Sequence, residues 1–232
     1  MSGEALSQRV AQMALDVFLH ADVTPRAYAA MKYPKLLPMM RFACRQYALE
    51  GFGGFFVMDT RAMGGLMKLS TMVFTPYTGL NVPFLLIDTM EMMKKRLAYV
   101  EYYDCTAHGA ALPGAASQRE EFASLPDYAE KPAWYVSRRT AYSLIKGGDG
   151  ADAGALEAMV LTCAGRYLEG AKAAAADPDN LEGLRAFQQD MLTLGNPSSA
   201  TLEKVLGREG AETMFRTAIM PVEAPTDTPI IQ

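Results

Sequence analysis

Between Arg41 and Cys105, short runs rich in Phe, Tyr, Val, Leu and Met are cut at Gly51, Gly53-Gly54, Gly64-Gly65, Gly79 and Lys94-Lys95-Arg96. Runs of this make-up, bounded by turn residues, read as strands. The pattern predicts them near 41–49, 54–60, 65–75, 83–90 and 97–104. Parallel neighbours need a crossover of a dozen residues or more, and these connections are too short for one, so the region is expected to form an antiparallel meander. In the last run, alternation puts Tyr99, Glu101 and Tyr103 on one face and Val100, Tyr102 and Asp104 on the other. Neither face is cleanly polar, which predicts a strand covered on both sides.

Helical patterns flank this region. Leu6, Val10, Met13, Ala14, Val17 and Phe18 recur with helical spacing over 4–20. Pro25, Pro34 and Pro38, with Tyr28 and Tyr33, predict a short helix or turns leading into the sheet. Ser117 to Leu125 reads as a short helix stopped by Pro126, and Ala133 to Ile145 as a further strand ended by Lys146-Gly-Gly-Asp-Gly150. Asp152 is placed to cap a helix to about Ala176, with Leu156, Met159, Val160, Cys163 and Tyr167 as its buried stripe. Asp179 and Glu182 resemble a capping box for a helix to about Leu194, ended by Gly195. Asn196 and Pro197 suit the start of a last helix that turns Leu202, Val205, Leu206, Met214, Phe215 and Ile219 inward, and a loose tail is expected from Pro221. Helix, strands, then helices is an α+β order. The expectation is one domain over 1–232 with a central antiparallel sheet flanked by helices on both faces.

Composition narrows the function. With 22 basic and 26 acidic side chains the net charge is -4, so there is no global basic footprint for nucleic acid. No apolar segment is long enough for a signal peptide or membrane span, which makes cytoplasmic residence the default expectation. Cys44, Cys105 and Cys163 are sparse and lack a Cys-x-x-Cys spacing, which argues for reduced thiols and against a disulfide framework or structural zinc. His20 and His108 have no second ligand at helical or hairpin spacing, so neither a His-based metal centre nor a Ser-His-Asp triad is expected. Gly51-Phe-Gly-Gly-Phe reads as a hairpin turn rather than a phosphate loop. Of 16 methionines, Met58, Met63, Met67, Met72, Met90, Met92 and Met93 gather in one region. Such a cluster either fills a core or lines a pocket for a large flat apolar ligand.

One carboxylate stands out. Pro83-Phe-Leu-Leu-Ile-Asp88 ends four apolar residues on Asp88. Either Asp88 ends a strand and caps the turn before Met90, or it is partly buried. Burial would raise its pKa and leave an acid able to give a proton near neutrality.

Three places resemble the ferredoxin-dependent bilin reductase family, which includes the red chlorophyll catabolite reductases. They are Leu69-Ser-Thr-Met-Val-Phe74 with Pro83 to Asp88, Leu125-Pro-Asp-Tyr128, and Leu202-Glu-Lys-Val-Leu-Gly207 through Ala211, Phe215 and Ile219-Met-Pro221. The resemblance implies an α-β-α sandwich holding a linear tetrapyrrole such as biliverdin between sheet and C-terminal helices. It implies no bound metal or flavin, with reduced ferredoxin supplying electrons and side chains supplying protons. Asp88 falls on the family's proton-donating Asp. Ser70 stands where one branch has a His on the neighbouring strand, and Asn196 with Pro197 where the family has Asn and Lys. A propionate-pairing Arg of some members aligns near Ala123, with Arg119 about one turn away; Arg138 or Arg139 could also serve a propionate. The substrate-facing set is therefore expected to be Ser70, Met72, Arg119, Arg138 and Asn196. Lys94, Lys95 and Arg96 form either an ordinary charged hairpin turn or a docking point for acidic ferredoxin. The alternatives are a tetrapyrrole carrier on the same fold without the chemistry, or an unrelated small-molecule pocket.

Overall fold

A computed structural model describes residues 3–18, 40–196 and 199–224. The expectations for the segment holding Pro25, Pro34 and Pro38, for His20 and Pro197, and for the tail beyond 224 lie outside these residues. Six strands form one sheet in sequential order: β1 (Arg41–Leu49), β2 (Gly53–Ala62), β3 (Met67–Thr75), β4 (Phe84–Met92), β5 (Lys95–Tyr103) and β6 (Leu144–Gly148). Every pairing is antiparallel, as the short connections from β1 to β5 required; β6 joins β5 the same way after the long connection over 104–143. Gly53 has φ +141° where β2 enters against β3, and a Cβ there would lie 2.2 Å from the Thr75 carbonyl oxygen, so only glycine fits.

The helices are α1 (Gly3–Val17), α2 (Gln118–Glu121), α3 (Ala153–Ala173), α4 (Asn180–Thr193) and α5 (Ser199–Met214), the last running into a π-helical turn over Phe215–Ile219. α1 and α3 cover one face of the sheet, packing Leu6, Val10, Met159, Cys163 and Tyr167 onto Met72, Phe74, Leu85, Ile87 and Val100. α4, α5 and the π turn cover the other, packing Phe187, Met191, Leu202, Phe215 and Ile219 onto Phe56, Met58, Val73, Phe84 and Tyr103. Alternation along each strand feeds both layers, so the sheet is apolar on both sides. The stripe expected on α3 is buried throughout.

Several local expectations are corrected. Ala133 to Ile145 is not one strand: Trp134–Arg138 is a 3-10 turn and only Leu144–Gly148 pairs with β5. The aromatic run imitates a strand, but Trp134 donates from Nε1 to the Gly195 carbonyl (2.7 Å) and packs on Phe187, which bends the backbone onto the helical layer. The helix expected over Ser117 to Leu125 is a single turn at 118–121. Asp152 and Asp179 make no side-chain cap bond: Asp152 accepts from Asp149 N–H (3.0 Å), and Asp179 donates its own N–H to Asp177 (3.0 Å). Lys94 to Arg96 is not wholly a turn, since Lys95 and Arg96 already belong to β5.

α1 is tied to the sheet by a polar knot. Asp59 accepts hydrogen bonds from Ser7 of α1 (3.0 Å), Ser70 of β3 (2.6 Å) and Arg45 of β1 (2.8 Å). Ser70 is 2% exposed, so losing its hydroxyl strips a bond to a charged acceptor where water cannot replace it. Ser70→Ala is expected to cost about 1.5–3 kcal/mol of stability, read by urea unfolding. An unchanged midpoint would contradict this account of the knot.

Candidate active site

The face beneath α4, α5 and the π turn holds the candidate site. Asp88 lies on β4 two residues beyond Leu86, on the side that Phe84 and Leu86 turn toward the C-terminal helices. Across the sheet it pairs with Thr71 of β3 on one side and Tyr99 of β5 on the other. Thr71 donates from its hydroxyl to the Asp88 carboxylate at 2.5 Å. Asp88 as a whole is half-buried, but its carboxyl is packed among protein atoms, and that desolvation pushes it up to about 7; the Thr71 bond pulls the other way and the charge of Glu101 adds to the rise. Thr71, Phe56, Met58, Phe84, Leu86, Met191, Asn196, Phe215, Ile219 and Met220 enclose a cavity of about 40 Å³.

A charged cluster adjoins Asp88 on the same face. Glu101 on β5 is 3% exposed. It accepts from the Tyr103 hydroxyl (2.6 Å) and from Arg139 Nε (2.6 Å). Arg139, reaching in from the turn after Trp134, also clasps Glu130 and lies over the Tyr135 ring. Burial works against the Arg139 charge, but the bonds to Glu130 and the charge of Glu101 outweigh it and hold the guanidinium protonated.

The expected substrate-facing residues separate. Asn196 lines the cavity and donates to the Met191 carbonyl (3.2 Å). Arg138 sits at the edge of the same layer, over the Phe187 ring and 3.9 Å from Asp190. Arg119 lines a different cleft, of about 360 Å³, with Asp127, Tyr128, Glu130 and Arg139. Ser70 and Met72 do not join Asp88. A one-residue step along a strand reverses the face, so Ser70 points to Asp59 and Met72 into the α1–α3 core, and Thr71 is the neighbouring-strand residue that meets Asp88. The methionines do not form one wall. Met58 lines the cavity, while Met63 and Met93 stand 47% and 72% exposed at adjacent hairpin tips, both at positive φ (54° and 55°). Sequence reasoning missed Thr71 and weighed Arg139 as a propionate partner or part of a solvated strand end, not as the partner of Glu101. Both faces of β3 are apolar, so no local signal singled out the first, and none linked the second to its partners. His108 meets Asp177 and Asp179 on the surface, a group able to hold a metal ion that the spacing had not suggested.

No family model matches the chain, and no curated protein matches it. The fold, a sheet layered between helices, is shared with a solved bilin-binding enzyme. That structure is phytochromobilin synthase from tomato in complex with biliverdin, similar at a TM-score of 0.75 and 11% identity over 99% of this chain and 87% of that one. The likeness is one of fold. Among the described residues, no helix is long and apolar enough to cross a membrane.

Proposed function

We propose that this chain, acting as one domain in the cytoplasm, reduces a linear tetrapyrrole such as biliverdin with electrons from reduced ferredoxin and no resident prosthetic group. The observation that carries the reading is Asp88: a carboxyl raised to about 7, held by Thr71 on the helix-covered face of a fold shared with a protein solved with biliverdin. An acid of that strength is half protonated at neutral pH and matched to giving a proton there. Thr71 orients the carboxyl and, with Asn196 and Met58, lines the cavity on that face, and Arg138, over the Phe187 ring in the helical layer, suits a propionate. A ligand of this size needs a pocket of about 300 Å³ or more, so α5 and the π turn move outward on binding. The kink at Gly207 (φ 73°, ψ 169°) and the π turn are the breaks in that segment where such movement can occur.

A carrier is the second reading, favoured by a non-titrating Thr71 as the hydrogen-bond partner of Asp88. A visible absorption titration with biliverdin, followed by anaerobic addition of ferredoxin, a ferredoxin reductase and NADPH, separates the two. Stepwise spectral change after saturable binding supports the reductase. Binding with no further change supports the carrier.

For ferredoxin the candidate surface is the end of the sheet where the β2–β3 and β4–β5 hairpins meet. Met63, Leu66 and Met93 are exposed there beside exposed Lys94 and Lys95, while Arg96 and Lys68 share Glu91. Apolar contacts inside a basic rim fit an acidic partner, with charge acting mainly on encounter. Replacing Lys94 and Lys95 by Glu is expected to raise the KM for ferredoxin about tenfold at low salt, an effect that fades as salt rises. An unchanged KM would remove this surface from the proposal.

A further inference from the structure

Each two-electron reduction of a double bond takes up two protons, and a single acid that has given one must regain a proton before it can act again. What drives Asp88 back to its acid form is the question the neighbouring cluster answers. Register places Asp88 opposite Tyr99 and Leu86 opposite Glu101. Asp88 and Glu101 are therefore diagonal cross-strand neighbours on one face, about 7–8 Å apart at the backbone. Glu101 is sealed from water and fixed by Tyr103 and Arg139, and Arg139 is shared with Glu130. Burial raises the Glu101 carboxyl, and the Arg139 charge and the bonds from Tyr103 and Arg139 oppose that rise; with Glu101 and Glu130 ionised, two carboxylates to one guanidinium present net negative charge to Asp88 through a medium that screens little.

Among the described residues, the groups that follow on this face do not cancel that charge. Burial raises the thiols of Cys44 on β1 and Cys105 after β5 to about 12, and the Tyr99 phenol to about 12, so all three are neutral near pH 7. Burial also raises the Tyr103 and Tyr135 phenols, and Tyr128 packs edge-on against Tyr99. From the helical layer, Arg138 is matched by Asp190. Thr71 on β3, Met58 and Thr60 on β2 and Asn196 do not titrate.

We propose that Glu101, held as an anion by Arg139, is a positioning residue that makes ionised Asp88 the costly form and so returns Asp88 to its acid form between proton deliveries. This rests on the reading of Asp88 as a proton donor. Glu101 itself does not reach the reacting atoms; it acts through Asp88.

The test is a carbon-13 NMR titration of the free protein labelled at the Asp carboxyl carbons, with Asp88 assigned by the signal lost in Asp88→Asn. Glu101→Gln is expected to lower the Asp88 midpoint by about one pH unit or more, about a tenfold loss of proton affinity. Its fold is protected because Arg139 keeps Glu130. Glu130→Gln, nearer the surface, is expected to lower it by a smaller amount. Tyr103→Phe, which removes a hydrogen bond and keeps the charge, is expected to leave the midpoint within a few tenths of a unit of the wild type. In turnover, the alkaline limb of Glu101→Gln moves to lower pH by the NMR shift. An Asp88 midpoint unmoved by both Gln variants, or moved as far by Tyr103→Phe, would overturn the proposal. A wild type that neither binds nor reduces biliverdin would instead overturn the functional reading, and the NMR midpoints distinguish the two failures.

Discussion

Asp88→Asn is expected to leave biliverdin bound and to cut its reduction by about 10²–10⁴-fold, the range for losing a positioned general acid. The substitution keeps the shape and an acceptor for the Thr71 hydroxyl, so binding and folding survive. The sign of the pH dependence follows from the same carboxyl. Its acid form is the active one and its pKa is raised to about 7, chiefly by burial, so wild-type turnover holds below that value and falls as pH rises through it. The Asn variant shows no such limb. Full turnover by Asp88→Asn, or a wild-type rate that rises through the same interval, would show that the proton comes from elsewhere.

The largest effect on stability is expected at Arg139. Its side chain is 8% exposed and that of Glu101 is 4% exposed. Arg139→Met leaves Glu101 in the sheet with only the Tyr103 hydroxyl, and removing one partner of a buried pair costs about 3–5 kcal/mol. Much of that cost is the stranded carboxylate, so acid recovers part of it by protonating Glu101. Urea unfolding of Arg139→Met and the Arg139→Met/Glu101→Gln double variant checks this. The double variant is expected to be more stable than the single, and equal losses would show that Arg139 acts through packing alone.

The meander was legible in the sequence because its connections are short and its runs alternate. Parity was not. From Leu69 to Thr75 both faces of the strand are filled, so alternation alone could not say whether Ser70 or Thr71 meets Asp88. The register that decides it is set by the Pro76–Pro83 connection and by packing from two helical layers. Arg139 was hidden for another reason. Its partners Glu101 and Glu130 lie 38 and 9 residues away, and no local pattern links them. The Trp134 to Val136 run was misread as strand because a long-range contact with α4, invisible in the run itself, bends it. Asp88, by contrast, could be singled out early, since four apolar residues in front of a lone carboxylate are a local signal of burial.

The central claim is that the Asp88 face holds and protonates a linear tetrapyrrole. The most direct measurement is the visible spectrum of the protein with one equivalent of biliverdin as pH is raised from 5 to about 9, in wild type and Asp88→Asn. The account predicts saturable binding to both proteins and, in the wild type alone, a red-shifted protonated band that fades with a midpoint near 7. Identical, pH-independent spectra of the two complexes, or no binding to either, would contradict it.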